Sequence, residues 1–329
     1  FEYWLDGETR FESMTMTEDI LLKAKWHLDT FKITYRIEGQ PDEINEIEYL
    51  TKIHNFLDPV IDGFVVSRWV DGDGKTIKMP YTVSRDEIIY AVLTAVVENE
   101  NYFNFDPYDD GYSVSFKDEF KTDSTVTAIK IPDTYNGKPV YRVEGSAFAN
   151  AAYLEKVELG ANVVAIESGA FVNCSGLKVM SITAPVNTIK PGAFAGCTRL
   201  TRIAVSDSNT CFTNDNGDGI LYEINSADEY VLVAYPAGRS DETVTVSTFV
   251  GEIKSYAFDG ASRLKVINIE RDNAFGTIGA TAFNGCSALE AVNVNNSAYV
   301  SVDGVLYTAG EINNESVYTC LLYTSDAAD

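Results

Sequence analysis

Cysteine is the residue type in this 329-residue chain with the widest chemical repertoire, because a thiolate is a nucleophile, a metal ligand or half of a disulfide. Three of the five cysteines, Cys174, Cys197 and Cys286, share one position of a repeated phrase that has Ala151 and Ala261 in two other copies. A position that accepts either Cys or Ala requires a small apolar side chain. The pattern therefore predicts packing. A disulfide between Cys174 and Cys197, or a metal or redox role, is the alternative.

Two acidic loops, at residues 71–75 and 214–219, have the composition of calcium-binding loops. A helix–loop–helix calcium site needs a bidentate Glu at its twelfth position, where the second loop has Asn225, and the first loop has a Lys at its fifth position. Both loops lie between predicted strands. They therefore predict hairpin turns, with a weak surface calcium site around Asp215 and Asp218 as the alternative.

The remaining residue types offer little for catalysis. Histidine occurs twice, at His27 and His54, and no nucleophile–base set, glycine-rich phosphate loop or C-x-x-C pair is present. We predict no catalytic residues, no metal, no cofactors and no enzymatic activity for this chain.

Charge and hydropathy exclude further classes of partner. The net charge of −24 is spread along the chain, whereas nucleic acids and anionic membranes require clustered Lys and Arg. The longest apolar run, residues 88–97, is about half the length that spans a bilayer. We predict no nucleic-acid partner, no membrane insertion and a monomer.

The cysteines are positioned by a phrase that occurs five times, in which a β-branched residue, an Ala-Phe pair and a Leu keep constant spacing. The Phe and Leu anchors are Phe148, Phe171, Phe194, Phe258 and Phe283, with Leu154, Leu177, Leu200, Leu264 and Leu289. A fixed period of about 23 residues predicts a solenoid, because one coil cannot bury its apolar face alone. Each Phe and each Leu is expected to stack on its counterpart in the next coil.

Side chains that the repeat leaves free are the candidates for binding. The apolar residues that end each coil are two apart, so they share one side of a strand and leave the residues beside them on the outer face. From this face we predict binding through Lys156, Glu158, Lys178, Arg202, Asn268 and Asn293, although a solvated face is the alternative.

An insert near residues 206–250 separates the third and fourth copies and is rich in aromatic residues. It predicts a hairpin that stands off the solenoid. Tyr222, Tyr230 and Tyr235 are its candidate ligand contacts, because tyrosine is favoured in recognition surfaces; a locally packed hairpin is the alternative.

The repeats resemble the BspA-like leucine-rich repeat, whose signature I-x-x-x-A-F-x-x-C-x-x-L-x-x-I-x-I-P they match. The resemblance implies a leucine-rich-repeat solenoid over residues 112–319, with an N-terminal cap, and an adhesive role on bacterial surfaces. Residues 98–111 are predicted to be a linker or the first capping strand.

The N-terminal quarter carries a different repeat, in which residues 1–26 align with residues 64–93. Thr17–Trp26 matches the T-x-D-x-x-L-x-A-K-W ending of the internalin-type B-repeat, and the second copy departs from it at Val92-Leu93. The resemblance implies small β-grasp-like modules, with the C-terminal half of one at 1–26 and a second module at 27–97. Trp4, Trp26 and Trp69 are predicted to pack within or between modules, with a sugar-stacking platform as the alternative.

Residues 320–329 (CLLYTSDAAD) resemble the translation of a sequencing adapter at the end of an assembled fragment. We therefore expect both ends of the natural protein to lie outside this chain, and exclude this tail from fold reasoning.

Together these features predict a mainly β, non-catalytic bacterial protein that is secreted or displayed on the cell surface and binds a protein or glycan of a host or neighbouring cell. One alternative is an accessory region of a large secreted enzyme that acts on cell wall or polysaccharide. The other is a purely architectural stalk.

Overall fold

The computed structural model describes residues 3–6, 9–11, 22–25, 29–54, 56, 59, 61, 63–214, 219–225, 229–270, 276–294, 299–302, 305–312 and 315–322. The chain divides into two compact units. The first contains Phe1–His54 and Arg68–Val92, and the second contains Asn55–Ser67 and Leu93–Asp329.

The strands of the N-terminal region are short and mostly antiparallel. Their bounds are β1 (Tyr3–Asp6), β2 (Thr9–Phe11), β3 (Leu22–Lys25), β4 (Thr30–Arg36), β5 (Glu43–Glu48), β6 (Lys52–Ile53), β7 (Phe64–Val70), β8 (Tyr81–Thr82) and β9 (Glu87–Ala95). They form sheets in the orders β2-β1-β3, β5-β4-β9-β7 and β6-β8. In the second sheet Trp69 is buried, with its ring edge-on to Tyr35 at 5.6 Å. This residue therefore packs within its module; the side chains of Trp4 and Trp26 lie outside the described residues.

The first block of the solenoid contains two columns of parallel strands. Its strands are β10 (Val97–Glu98), β11 (Phe103–Tyr108), β12 (Gly111–Phe116), β13 (Ala128–Lys130), β14 (Thr134–Tyr135), β15 (Lys138–Val143), β16 (Lys156–Glu158), β17 (Ala165–Ile166), β18 (Val179–Ile182), β19 (Thr188–Ile189) and β20 (Arg202–Val205). One column, β10-β13-β16-β18-β20, is the first outer sheet; the other, β11-β12-β15-β17-β19, forms the opposite wall. Among the described residues the α-helical structure is one turn, α1 (Asp118–Lys121).

The second block begins with the strands of the insert. Its strands are β21 (Phe212–Thr213), β22 (Leu221–Ile224), β23 (Tyr230–Ala234), β24 (Thr243–Val246), β25 (Val250–Ile253), β26 (Val266–Ile269), β27 (Ala291–Val294), β28 (Tyr299–Val302), β29 (Val305–Ile312) and β30 (Glu315–Leu322). The parallel sheet β24-β26-β27 is the second outer sheet, and β21-β22-β23-β25 and β28-β29-β30 complete the block.

Stacked rings run through the core, as the repeat spacing predicts. Phe116, Phe148, Phe171 and Phe194 lie in one column with centroid separations of 5.3, 4.9 and 5.7 Å and nearly parallel planes. Phe258 and Phe283 stack at 5.6 Å in the second block. The five Leu anchors are also buried. Each such side chain contributes roughly 1.5–3 kcal/mol through burial, so stacking of neighbouring coils accounts for most of the apolar content of a coil.

The aromatic stretch before the first coil is folded into strands. Strand β11 pairs antiparallel with β12, and β10 pairs in parallel with β13. Phe103 is buried against Phe116 and Phe148. The stretch therefore covers the open edge of the first coil, because the exposed end of a solenoid needs an atypical capping unit.

The insert is also integrated into the solenoid, so the expectation of a hairpin that stands off it is wrong. Strands β22 and β23 pair as an antiparallel hairpin, but β23 pairs in parallel with β25. The ring of Tyr235 stacks on Phe258 at 5.3 Å, where a Phe stands in the other coils. The hairpin is held down because its apolar side chains are part of the core.

Candidate functional site

The outer faces of the two parallel sheets are the candidate site, because they carry the polar side chains that stacking does not use. On the first outer sheet, Lys156 lies at the start of β16 and Lys178 lies directly before β18. Both lysines were expected to be open to solvent. Both are buried, with 3% and 7% of their side chains exposed.

Ile61 and residues 63–67, which we call the strap, account for this burial, and they belong to the same compact unit as the solenoid. The ammonium of Lys156 donates to the carbonyl oxygens of Ile61 and Phe64, at 2.5 and 2.8 Å. The ammonium of Lys178 donates to the carbonyl oxygens of Val66 and Ser67, at 2.8 and 3.1 Å. A buried ammonium is tolerated only when its donors are satisfied, and the strap carbonyls satisfy them.

Carboxylates complete the charge balance under the strap. Lys156 pairs with Glu158 at 2.7 Å, and Lys178 pairs with Glu155 at 3.2 Å. Glu158 also accepts a hydrogen bond from the backbone N–H of Gly63 at 2.9 Å. The two acids and two lysines therefore form a neutral, hydrogen-bonded group that faces strap backbone rather than solvent.

Arg202, the next predicted binding residue along the first outer sheet, lies under the insert. The backbone N–H of Ile203 donates to the Gly219 carbonyl at 2.9 Å, and a Cβ at Gly219 would lie 3.1 Å from Arg202 Cγ. The guanidinium stem is half-buried by this approach. Glycine suits position 219 because its φ is +81°, which other residues rarely adopt, and because the insert backbone passes close to Arg202 there.

The second outer sheet presents its polar residues to solvent. Asn268 and Asn293 lie side by side on β26 and β27, and the Asn293 side-chain amide donates to Asn268 Oδ1 at 2.8 Å. One residue before β26, Lys265 pairs with Glu242 at 2.9 Å, with 43% and 67% of the two side chains exposed. Glu290 is exposed in the next coil. This face combines ammonium, carboxylate and amide groups that can bind polar partners.

The aromatic set of the insert does not form an open surface. Tyr222 and Tyr235 are buried, and Tyr230 is half-buried between the rings of Tyr222 and Phe249. The Tyr235 hydroxyl donates to Asp241 at 2.8 Å. These tyrosines therefore pack within the protein, which contradicts the prediction that they are open ligand contacts.

The repeated cysteines are free thiols, each bonded to the coil before it. The thiol of Cys174 donates to the carbonyl of Phe148, Cys197 to that of Phe171, and Cys286 to that of Phe258, at 3.0–3.2 Å. Burial raises the pKa of the Cys174 and Cys286 thiols to about 12. Thiols that hold their protons this firmly are poor nucleophiles and poor metal ligands, so the cysteines serve the packing.

Within the described residues, no group of three or more His, Cys, Asp or Glu side chains is placed to hold a metal ion. The loop at residues 71–75 is a hairpin turn, in which Asp71 Oδ1 accepts from the backbone N–H groups of Asp73 and Lys75. The alternative calcium site at Asp215 and Asp218 lies outside the described residues.

Comparison with known families decides the class of this solenoid. The model of the BspA-type leucine-rich repeat region matches residues 116–216 and 238–318 in six copies, which together exceed half of the chain. The chain belongs to the BspA-type leucine-rich repeat family. BspA-type repeats are a non-enzymatic repeat family.

Several solved proteins are similar to this chain over 52–60% of its length. A leucine-rich cell surface protein of Faecalibacterium prausnitzii is 25% identical, with a TM-score of 0.45, over 54% of this chain and 45% of its own. The pneumococcal vaccine antigen PcpA is 24% identical, with a TM-score of 0.46, over 52% of this chain and 40% of its own. A Treponema pallidum leucine-rich repeat protein is 20% identical, with a TM-score of 0.39, over 60% of this chain and 82% of its own.

The chain thus spans less than half of the length of the first two of these proteins. A search of curated proteins finds no match. Among the described residues of this BspA-type chain, no helix has the length and apolarity needed to cross a membrane.

Sequence reasoning missed two parts of the site. Tyr235 precedes Val244 by nine residues, as Phe258 precedes Ile267, and these two β-branched residues pair between β24 and β26. This spacing was an available signal for a further coil. The strap left no such signal, because its contacts with the lysines use backbone atoms only.

Proposed function

We propose that this chain is part of a bacterial cell-surface or secreted protein that binds a protein or glycan of a host or neighbouring cell. Membership of the BspA-type family supports a repeat-based binding role, and one similar solved protein is a cell surface protein. Repeat solenoids bind partners on the extended face that their stacked coils create.

The open second outer sheet is the observation that carries this proposal. Lys265, Asn268 and Asn293 occupy outward positions on adjacent coils, and no described residue covers them as the strap covers Lys178. Side-chain amides donate and accept hydrogen bonds, so an asparagine pair is suited to peptide groups or sugar hydroxyls. The face has a polar, hydrogen-bonding character.

For the N-terminal region we propose internalin-type B-repeat modules that act as spacers. The ending Thr17–Trp26 matches the B-repeat pattern, and the described strands of this region form small sheets. A buried Trp69 supports a structural role for the module that contains it.

Binding can be measured with the whole chain immobilised on a sensor, against a panel of host matrix proteins and glycans. We expect Lys265→Ala/Asn268→Ala/Asn293→Ala to weaken binding of a positive partner at least tenfold, because the variant removes three adjacent polar contacts. Its melting temperature should stay close to that of the wild type, since exposed substitutions change stability by less than about 0.5 kcal/mol.

The matched control is Asn187→Ala/Lys190→Ala/Asn284→Ala, which also removes one Lys and two Asn, from exposed positions away from the outer sheets. Equal losses in both triple variants would contradict the assignment to the second outer sheet. A folded chain that binds nothing in the panel would favour a stalk, and a hydrolase domain in the full gene would favour the accessory region of an enzyme.

A further inference from the structure

The same Glu–Lys pair occurs on both outer sheets, covered on one and open on the other. Glu155 pairs with Lys178, and Glu242 pairs with Lys265, with each Glu one coil before its Lys and each Lys directly before its strand. In the first pair, 7% of the Lys178 side chain and 19% of the Glu155 side chain are exposed. In the second pair, the exposed fractions are 43% for Lys265 and 67% for Glu242. The difference therefore comes from what lies above each pair.

Above the first pair lies the strap, and the solenoid holds it through strap backbone. Lys156 and Lys178 donate to four carbonyl oxygens, and Glu158 accepts from one backbone N–H, that of Gly63. These contacts recognise an extended main chain at Phe64–Ser67, within β7, and they do not depend on the identity of the strap side chains. The site is built to bind extended peptide.

The charged residues under the strap indicate how the face of the first outer sheet is used. Apolar side chains of similar size are often at least as stable as a buried ion pair under a permanent cover. Apolar side chains would, however, become an exposed hydrophobic patch whenever the cover left, whereas lysines and glutamates are readily hydrated. The observed residues suit a surface that is covered in one state and open in another.

We propose that the first outer sheet is a masked binding site for an extended peptide of a partner protein, and that the strap is its intramolecular ligand. When the strap leaves, Lys156, Lys178 and Glu158 bind the partner main chain as they bind strap backbone. This site is distinct from the open second sheet and does not rest on the proposed function.

Hydrogen exchange of the whole chain tests whether Lys156 and Lys178 keep the strap bound to the first outer sheet. We expect Lys156→Met/Lys178→Met to speed amide exchange across residues 61–67 at least tenfold, because it removes all four ammonium–carbonyl contacts. Exchange in β16 and β18 should remain slow, which separates strap release from unfolding. Lys265→Met is the matched control, since it removes the equivalent lysine of the open sheet, and should leave the strap unchanged. Unchanged exchange in the double variant would overturn the proposal.

The binding step is tested with a fluorescein-labelled peptide of residues 59–68 (PVIDGFVVSR). In the whole chain, Gly63→Pro removes the N–H that Glu158 accepts and cannot adopt the φ of +72° at that position, so it should release the strap. Val66→Asp is a second releasing variant, because Val66 is buried. We expect the peptide to bind the released variants at least tenfold more tightly than the wild type.

Adding Lys156→Met/Lys178→Met to a released variant should abolish this binding, and adding Lys265→Met should preserve it. Equal peptide binding by wild-type and released chains would show that the strap masks nothing. A variant whose hydrogen exchange shows release, but which leaves the peptide unbound, would refute the peptide site.

Discussion

At the residue scale, the cysteine position shows how a size requirement and a hydrogen bond coincide. Exchange of Cys and Ala between copies predicted a small buried side chain, and Cys174 and Cys197 are buried. The structure adds that each thiol donates to the Phe carbonyl of the preceding coil. Coils with Ala lack this hydrogen bond. The position therefore mainly requires a small side chain, and the thiol adds a hydrogen bond to it.

We predict that Cys174 and Cys197 resist iodoacetamide at pH 9 in the folded protein and react after unfolding in guanidinium. Burial raises the pKa of Cys174 to about 12 and that of Cys197 well above its usual range, so both stay protonated. Mass spectrometry after timed quenching measures the modified fraction. Rapid labelling of either residue without unfolding would contradict the buried assignment.

The raised pKa of the buried thiols also determines how the stability of the folded protein changes with pH. The unfolded thiol loses its proton near pH 9, whereas the folded thiol of Cys174 holds it to about pH 12. The unfolded state is therefore favoured increasingly from pH 9 upward, and this contribution to stability is lost between these two values. Denaturant unfolding of Cys174→Ala and wild type at pH 8 and pH 10.5 should show a smaller loss of stability in the variant.

A left-handed backbone position recurs two residues after each Phe anchor of the repeats. Asn150, Asn173, Gly196, Gly260 and Gly285 all have φ between 59° and 78° there. Asparagine and glycine are the residues that adopt this region at low cost. Their presence allows the tight turn that returns each coil toward its outer strand.

At the element scale, the insert behaves as a coil with an unusual sequence. Tyr235 takes the ring position of the Phe column, and Ala237 is buried close to it. An aromatic-rich loop predicted a recognition hairpin, whereas packing on Phe258 converts it into a part of the core. The aromatic content alone does not distinguish these outcomes, because both use large, partly apolar rings.

We predict that Tyr235→Ala lowers the free energy of unfolding by about 3–5 kcal/mol, as expected for loss of a buried ring. Tyr235→Phe keeps the ring and loses the bond to Asp241, so it should cost only about 1 kcal/mol. Chemical denaturation measures both. Tyr153→Ala, at a side chain that is 49% exposed, serves as the control. If Tyr235→Ala left the free energy of unfolding unchanged but weakened binding of a partner, Tyr235 would be a ligand contact after all.

At the scale of the whole molecule, the charge distribution is the dominant property. Acidic residues outnumber basic ones, 49 to 25, and the net repulsion that results from a charge of −24 opposes compactness. The buried pairs under the strap are shielded from solvent ions, while the exposed charges are not.

We therefore predict that the melting temperature rises when sodium chloride is increased from 10 to 200 mM, because salt screens the net repulsion. Differential scanning calorimetry at pH 7 measures the shift. A melting temperature that falls with salt would mean that exposed ion pairs outweigh the repulsion.

The repeat architecture could be predicted from the sequence because the residues that define each coil lie close together in the chain. Every coil carries its own Phe, Leu and β-branched anchors at constant spacing, so the comparison of five copies separates stacking positions from free ones. The solenoid, its ring column and the buried cysteines followed from this comparison. The cap at β11 was predictable only as one of two alternatives, since its aromatic residues do not recur at the spacing of the repeat.

What the sequence determined by itself is therefore the family, the coil and the positions that stacking of the coils leaves free. Only the tertiary structure decided which of those residues are open. Lys156 and Lys178 occupy outward positions like Lys265, yet residues about a hundred positions earlier in the chain cover them. The contacts are made to backbone carbonyls, which every residue possesses, so no pattern of side chains marks the strap in advance.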